Sequence, residues 1–132
     1  MDVKTLKVNK RHTLLTGIET RQKGIKQASP GTILAFHPVK VMPNSSTKPW
    51  ILVSGDGSQR AHLLVPAKGA EQDDWTYAEH IIWNAESTVG QSTVGDLDDD
   101  GQMEIMIPAY DTNKVAVFTV KPLNAQTPRR RR

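Results

Sequence analysis

The clearest pattern in the sequence is a short apolar run, a polar turn and a second apolar run, and it occurs twice. One copy is "ILVSGDGSQRAHLLV" at 51–65 and the other is "IMIPAYDTNKVAVFT" at 105–119. Aligned without gaps at an offset of 54 residues, the apolar runs coincide and so do the polar turns. Short β-branched runs around turn residues are typical of β-hairpins. The pattern therefore predicts one hairpin in each stretch.

Two further strand-like segments precede each predicted hairpin. They are 23–27 and 32–41 before the first hairpin, and 77–83 and 87–95 before the second. A unit of roughly 20–50 residues that recurs along a chain is typical of solenoids and propellers. Order, spacing and turn position favour two tandem repeats over 23–121, whereas the alternative is a chance likeness between two ordinary hairpins.

Helices are disfavoured along most of the chain. Prolines recur often, and each one removes a backbone hydrogen bond and obstructs the preceding helical turn. They are Pro30, Pro38, Pro43, Pro49, Pro66, Pro108 and Pro122. The stretch 67–80 contains more helix-forming residues, but Gly69 and the lack of an apolar stripe favour a loop leading into a strand. The sequence predicts an all-β fold of two tandem four-stranded antiparallel sheets.

The segment "VGDLDDDGQMEIMIPA" at 94–109 has four aspartates within five residues, directly before an apolar run. Like charges this close repel one another unless water or a cation separates them. Asp96, Asp98 and Asp100 occupy alternate positions, and Gly101 permits a sharp turn after them. Calcium needs several oxygen ligands that converge on one point. The loop is therefore either a solvated acidic turn or a cation site.

As a cation site, the loop has the pattern D-x-D-x-D-G-x-x-E. The predicted ligands are the carboxylates of Asp96, Asp98, Asp100 and Glu104 and the backbone carbonyl of Gln102. An EF-hand would need an acid at the twelfth position and a helix on each side. That position is Ile107, followed by Pro108, so the loop instead joins two strands. We expect Leu97 to pack inward and Asp99 to face solvent.

With its strand context, this motif resembles the FG-GAP or VCBS repeats of β-propellers, including the integrin-like ones. Those repeats carry an aspartate-rich D-x-D-x-D-G-x-x-[DE] loop followed by an apolar strand. The upstream "WTYAEHII" resembles the Trp-x-x-x-x-His-x-Ile strand that precedes such loops in some members. The resemblance implies calcium ligation by Asp96, Asp98, Asp100 and Glu104, with the backbone oxygen of Gln102 as a further ligand.

The resemblance is close over 75–120 and loose over 23–66. The first unit has no acidic residue in the corresponding "KVMPNSSTKPWILV", so no metal is predicted there. Propellers typically have about four to eight blades, whereas 132 residues hold about two units. We expect an incomplete propeller: a fragment of a longer protein, a truncated product, or a chain that self-associates to close a ring.

The composition excludes several kinds of site and segment. There are no cysteines, so disulfides and thiolate metal sites are excluded. No apolar stretch approaches the roughly 18 residues of a membrane span, and no secretory signal follows the N-terminal charges. These absences leave the localisation open.

Positive charge is concentrated at the two ends of the chain. Residues 1–26 contain seven Lys/Arg against two Asp/Glu, while residues 27–128 contain six against twelve. We therefore predict a basic leader over 1–22 and a basic tail over 122–132. Nucleic acid is expected to bind at most nonspecifically, through the Arg129–Arg132 run.

The predicted function is a non-catalytic calcium-binding module that contacts a protein or a carbohydrate. The alternative, suggested by enzymes that contain such repeats, is part of a sugar-processing lyase or dehydratase. Only His37, His62 and His80 are obvious acid–base groups for it, and no nucleophile or phosphate-loop motif occurs. The sequence therefore assigns no catalytic residue. A final set of side chains could stack on sugars, but packing between strands is favoured: Trp50, Trp75, Trp83, Tyr77 and Tyr110.

Overall fold

A computed structural model of the chain describes residues 5–21, 23–24, 26, 28–40, 48–67 and 73–120. Within these residues seven strands form two antiparallel sheets, and none of them is helical. The first sheet has the order β1 (Pro30–Phe36), β2 (Trp50–Gly55), β3 (Arg60–Pro66) and β4 (Tyr77–Asn84). The second has the order β5 (Thr93–Gly95), β6 (Glu104–Ala109) and β7 (Lys114–Thr119). No helix in this part of the chain is long and apolar enough to cross a membrane.

Both predicted hairpins are confirmed, and they share one register. Ile51 pairs with Leu64 across β2 and β3. At the same offset of 54 residues, Ile105 pairs with Phe118 across β6 and β7. The turns end on Gln59 and Asn113, which both have left-handed backbone with φ of 58° and 53°. The all-β prediction is confirmed with them.

The pairing of the segment before each hairpin is interrupted at the start of that segment. In β1, the register shifts between Pro30, which pairs with Gly55, and Ile33. In the second sheet, Val89 forms an isolated bridge to Ala109, and β5 pairing begins only at Thr93. An extra residue in one strand is a β-bulge, which bends the strand and increases its twist.

The predicted assignment of the upstream segments is wrong in two places. Residues 77–83 lie in β4, which pairs with β3 and completes the first sheet rather than opening the second. The described residues of 23–27 form a turn and a bend rather than a strand. The second sheet consequently has three strands in the described part of the chain, not four. Apolar and aromatic residues mark 77–83 as a strand, but they contain no information about which neighbour that strand pairs with.

The core lies between the two sheets. Ile105, Ile107 and Val89 of the second unit are buried against side chains of β2 and β3. The buried members of this cluster are Leu52, Ala61, Leu63, Ala85, Val89, Ile105, Ile107 and Ala109. Burying one aliphatic side chain contributes about 1.5–3 kcal/mol, so this interface fixes the two sheets relative to each other.

The described part of the predicted leader, 5–21, contains no strand. It is joined to the first sheet where Arg21 N–H donates to the carbonyl of Gly57 at 2.9 Å. The Arg21 guanidinium also donates to Asn84 Oδ1 at 3.2 Å. The predicted tail over 122–132 lies outside the described residues.

Candidate functional site

The acidic loop connects β5 to β6 and is held by its own backbone. The N–H groups of Asp100 and Gly101 donate to the two carboxylate oxygens of Asp96, at 3.1 and 2.9 Å. Gly101 has a φ of 87° and Asp99 a φ of 60°, both in the left-handed region. Glycine adopts that conformation freely and aspartate tolerates it, which is why the chain turns sharply here.

Three of the predicted ligands converge. Asp96, Asp98 and Glu104 each offer one carboxylate oxygen, and these oxygens all lie within 4.8 Å of one another. Calcium binds oxygen at about 2.3–2.6 Å, so ligands on opposite sides of one ion are about 4.6–5.2 Å apart. The spacing and the all-oxygen donor set therefore fit a hard cation.

The other two predicted ligands have different positions. Asp100 is exposed, lies outside the three-carboxylate cluster, and accepts a hydrogen bond from the Gln102 N–H at 2.8 Å. Gln102 forms an isolated bridge with Val39. Ligation by the Asp100 carboxylate and the Gln102 carbonyl stays a prediction.

The side chain of Glu104, at the C-terminal end of the loop, is hydrogen-bonded to the backbone at its N-terminal end. This side chain is buried, and Oε2 accepts a hydrogen bond of 2.7 Å from the Leu97 N–H. Leu97 itself is 55% exposed, so the expectation that it packs inward is wrong. The carboxylates of Asp96 and Glu104 bond the backbone and fix the turn, and this geometry leaves the leucine side chain outside. Asp99 faces solvent, as expected.

Sequence reasoning missed Lys40. Its ammonium group lies 3.0 Å from Asp96 Oδ2 and 3.3 Å from Asp99 Oδ1. These contacts raise the pKa of Lys40, with the bond to Asp96 contributing most. The same bond, together with the Gly101 and Asp100 N–H groups, lowers the pKa of Asp96 despite partial desolvation. The acidic loop therefore has a counter-cation supplied by the segment that follows β1.

The residues around Lys40 form a backbone connection between the two sheets. The Lys40 N–H donates to the Gly101 carbonyl at 2.8 Å, and the Met103 N–H donates to the Pro38 carbonyl at 2.9 Å. The segment that follows β1 is thus hydrogen-bonded along the acidic loop that follows β5. No short-range signal in the sequence joins these two segments.

Beside this connection lies an open cavity of about 330 Å³ between β1 and β5. Its walls are Leu34, Ala35, Phe36, His37, Val39, Val94 and Met103. His37 is half-buried and is the one titratable group in this lining. The cavity lacks the carboxylate partner that would make His37 an acid–base catalyst.

A second polar cluster was also missed, and it involves His62. Ser58 Oγ lies 3.0 Å from Nε2, and Glu79 Oε1 lies 2.7 Å from Nδ1. In the tautomer that carries its proton on Nδ1, the ring donates to the Glu79 carboxylate and Nε2 accepts from the serine hydroxyl. The order of groups is that of a hydrolase triad, but Ser58 and His62 are 0% and 2% exposed. A substrate cannot reach the hydroxyl, so the cluster joins the β2–β3 turn to β4.

The remaining histidine and aromatic candidates are distributed over several surfaces. His80 lies in β4, as expected, and is exposed opposite Leu63. Trp50 and Trp83 pack against the core, in contact with Phe36 and Phe118 respectively. The packing role favoured for these tryptophans is confirmed.

Trp75 is different, because it is partly exposed. His12 stacks on its ring at 5.5 Å between centroids, and the ammonium of Lys48 lies 4.9 Å from the centroid. Tyr77 donates its hydroxyl to the Pro49 carbonyl at 2.9 Å, while Tyr110 is exposed.

No protein-family model, curated protein or solved structure matches the chain.

Proposed function

We propose that the chain is a non-catalytic calcium-binding module of the β-propeller type, with the ion held in the loop from Asp96 to Glu104. One observation carries this proposal: the carboxylate oxygens of Asp96, Asp98 and Glu104 lie within 4.8 Å of one another in a connection between two strands. Such convergence is the arrangement that a hard cation requires. Asp100 and the Gln102 carbonyl would complete the ligand set implied by the FG-GAP and VCBS resemblance.

The ion would have a structural role. Four aspartates and one glutamate lie between 96 and 104, and Lys40 is the basic group that contacts them. A divalent cation at the three carboxylates would reduce their mutual repulsion. Because Glu104 begins β6 and Asp96 follows β5, the bound ion would stabilise the junction of these strands and the hydrogen-bonded connection to the first sheet.

The propeller assignment is supported by the match between the two sheets. Their hairpins share one register, and the sheets enclose a common core. Two sheets do not close a propeller, which needs about four or more. Further sheets would therefore be needed to complete it.

A protein or a carbohydrate is the proposed partner of this module, because binding of macromolecules and sugars is what the repeat resemblance implies. An enzymatic role has less support among the described histidines. His62 is buried and bonded on both sides, His80 is exposed, and His37 lies against apolar side chains.

Calcium titration tests the proposal directly. The metal-free protein should bind calcium in isothermal titration calorimetry, and its melting temperature should rise with calcium concentration. A ligand that binds only the native state stabilises it by about 2.7 kcal/mol when the free ligand concentration is 100 times Kd. Asp98→Ala should abolish both signals. Asp99→Ala removes the same charge from an exposed position outside the cluster and should retain both. Absence of heat and of a melting shift in the parent protein rejects the site.

A further inference from the structure

One face of the first sheet is buried although the second sheet does not pack on it. Leu52 and Leu63 face the second sheet and belong to the core that the two sheets share. Side chains alternate along a strand, so Val53, His62 and Leu64 point to the opposite side, here called the far face. These three residues are 4%, 2% and 2% exposed, yet Val53 and Leu64 are not members of the shared core. Another part of the chain therefore covers the far face.

The leader contacts one end of the far face. Arg60 alternates with His62 along β3 and so lies on this face. The carboxylate of Glu19 is 4.0 Å from the Arg60 guanidinium. The Arg21 N–H donates to the carbonyl of Gly57, in the turn between β2 and β3. Residues 19–21 are thus joined to the end of the sheet at which β3 begins.

Nine residues before Arg21, the leader contacts the opposite end of the sheet. His12 stacks on Trp75 with 5.5 Å between ring centroids, and the Lys48 ammonium lies 4.9 Å from the same ring. Lys48 precedes β2 and Trp75 precedes β4, the two strands that flank β3. Both strands begin at the end of the sheet opposite the β2–β3 turn, so the leader reaches from one end of the sheet to the other.

The length of this segment requires an almost direct path across the sheet. Nine residues of extended chain span at most about 30–32 Å, and the seven residues of β3 span roughly 23 Å. Within the segment, Leu14, Leu15 and Ile18 are half-buried although they lie in no strand. Earlier in the leader, Leu6 and Val8 are 97% and 83% exposed. The burial of apolar side chains therefore begins where the leader reaches the sheet.

The cover is centred on β2 and β3. Ile33 and Ile81 also lie on the far face, because they pair with Val53 and His62. They belong to the edge strands β1 and β4 and are 66% and 49% exposed. One crossing segment accounts for this distribution, since it covers the two central strands and leaves the edge strands open.

We infer that residues 12–21 form a strap whose half-buried apolar side chains pack on the far face and close it to any further sheet. The strap is fastened at its ends, by His12 on Trp75 and by Arg21 on Gly57, and it forms no strand with the sheet. It can therefore open without the loss of a β-ladder, and a further sheet can pack on the far face only after it has opened. None of these contacts involves the acidic loop, so the inference is independent of the calcium proposal.

Thiol labelling with DTNB tests the strap, because the chain has no cysteine of its own. Val53→Cys places a thiol under the strap, and Ala61→Cys places one in the shared core. Each is combined with the strap pair, Leu15→Asp with Ile18→Asp. Labelling of Val53→Cys should then accelerate at least about tenfold, because half-buried carboxylates favour the open strap and a covered thiol reacts only when the structure opens locally. Labelling of Ala61→Cys should stay slow, since the second sheet still covers it.

Leu6→Asp with Val8→Asp is the matched control, because it adds the same two charges to the exposed start of the leader. This pair should leave both labelling rates unchanged. Trp75→Ala removes the ring that holds His12 without adding a charge, and it should accelerate labelling of Val53→Cys alone. Far-UV circular dichroism shows that each variant retains its sheets.

Two results overturn the inference. One is equal labelling of Val53→Cys in the strap pair and in the control pair. The other is equal acceleration of both thiols by the strap pair, which would indicate loosening of the whole fold. Asp98→Ala should leave the slow labelling of Val53→Cys intact, so a failed metal site and a failed strap give different results.

Discussion

The ammonium group of Lys40 lies 3.0 Å from Oδ2 of Asp96 and joins equivalent connections of the two sheets. Lys40 follows the first strand of the first sheet, and Asp96 follows the first strand of the second. Because Asp96 also belongs to the three-carboxylate cluster, the ammonium partly neutralises a carboxylate that a bound cation would use. The connection between the sheets and the proposed metal site therefore share one carboxylate.

Replacing Lys40 should strengthen calcium binding. Lys40→Met removes a positive charge that lies 3.0 Å from an oxygen of Asp96, so the carboxylate becomes more available to the ion. We expect an increase in calcium affinity of about two- to fivefold in calorimetry at low ionic strength, and a smaller one in high salt, where exposed charges are screened. Lys114→Met, in β7, should leave the affinity unchanged. Weaker binding by Lys40→Met would mean that the lysine assists the site rather than competing with the ion.

Asp98 and Asp100 should contribute unequally to the ion. Asp98 belongs to the cluster, whereas Asp100 accepts a hydrogen bond from the Gln102 N–H and lies outside it. In calorimetry, Asp98→Ala should therefore lose more calcium affinity than Asp100→Ala. An equal loss in both variants would show that the Asp100 side chain rotates onto the ion when it binds, as the repeat resemblance implies.

The hairpins and the all-β class could be predicted because their signals are local. An apolar run, a turn and a second run lie within fifteen residues at 51–65, and again at 105–119. The membership of β4 could not be predicted in the same way. β4 pairs with β3, and the strand-like composition of 77–83 is compatible with pairing in either sheet.

The same contrast between local and long-range signals applies to the candidate site. The spacing of Asp96, Asp98 and Glu104 within one loop was sufficient to predict that they converge. Lys40 could not be found, because it reaches Asp96 only through the packing of one sheet on the other. Leu97 was misplaced because polarity alone predicts burial, whereas hydrogen bonds from the backbone to carboxylates determine where this loop points its side chains.

His62 should matter for stability far more than the neighbouring His80. The ring is buried and bonded to Ser58 and Glu79, so His62→Ala leaves a cavity and a buried hydroxyl without its partner. We expect a loss of about 2–4 kcal/mol in the free energy of unfolding, measured by urea denaturation. His80→Ala changes an exposed side chain and should stay within about 0.5 kcal/mol. Similar losses in both variants would contradict a structural role for the cluster.

Asp111 should make the fold sensitive to acid. Its carboxylate accepts a 2.8 Å bond from the Thr88 N–H and a longer one from the Ser87 hydroxyl, and these bonds lower its pKa below the ordinary 3.8. A lowered folded-state pKa means that the stabilisation is complete above the unfolded pKa and is lost as pH falls through the folded one. Asp111→Asn keeps an acceptor oxygen but cannot titrate, so its urea midpoint should fall less than that of the parent between pH 7 and pH 3. Parallel declines in the two proteins would place the acid sensitivity in other carboxylates.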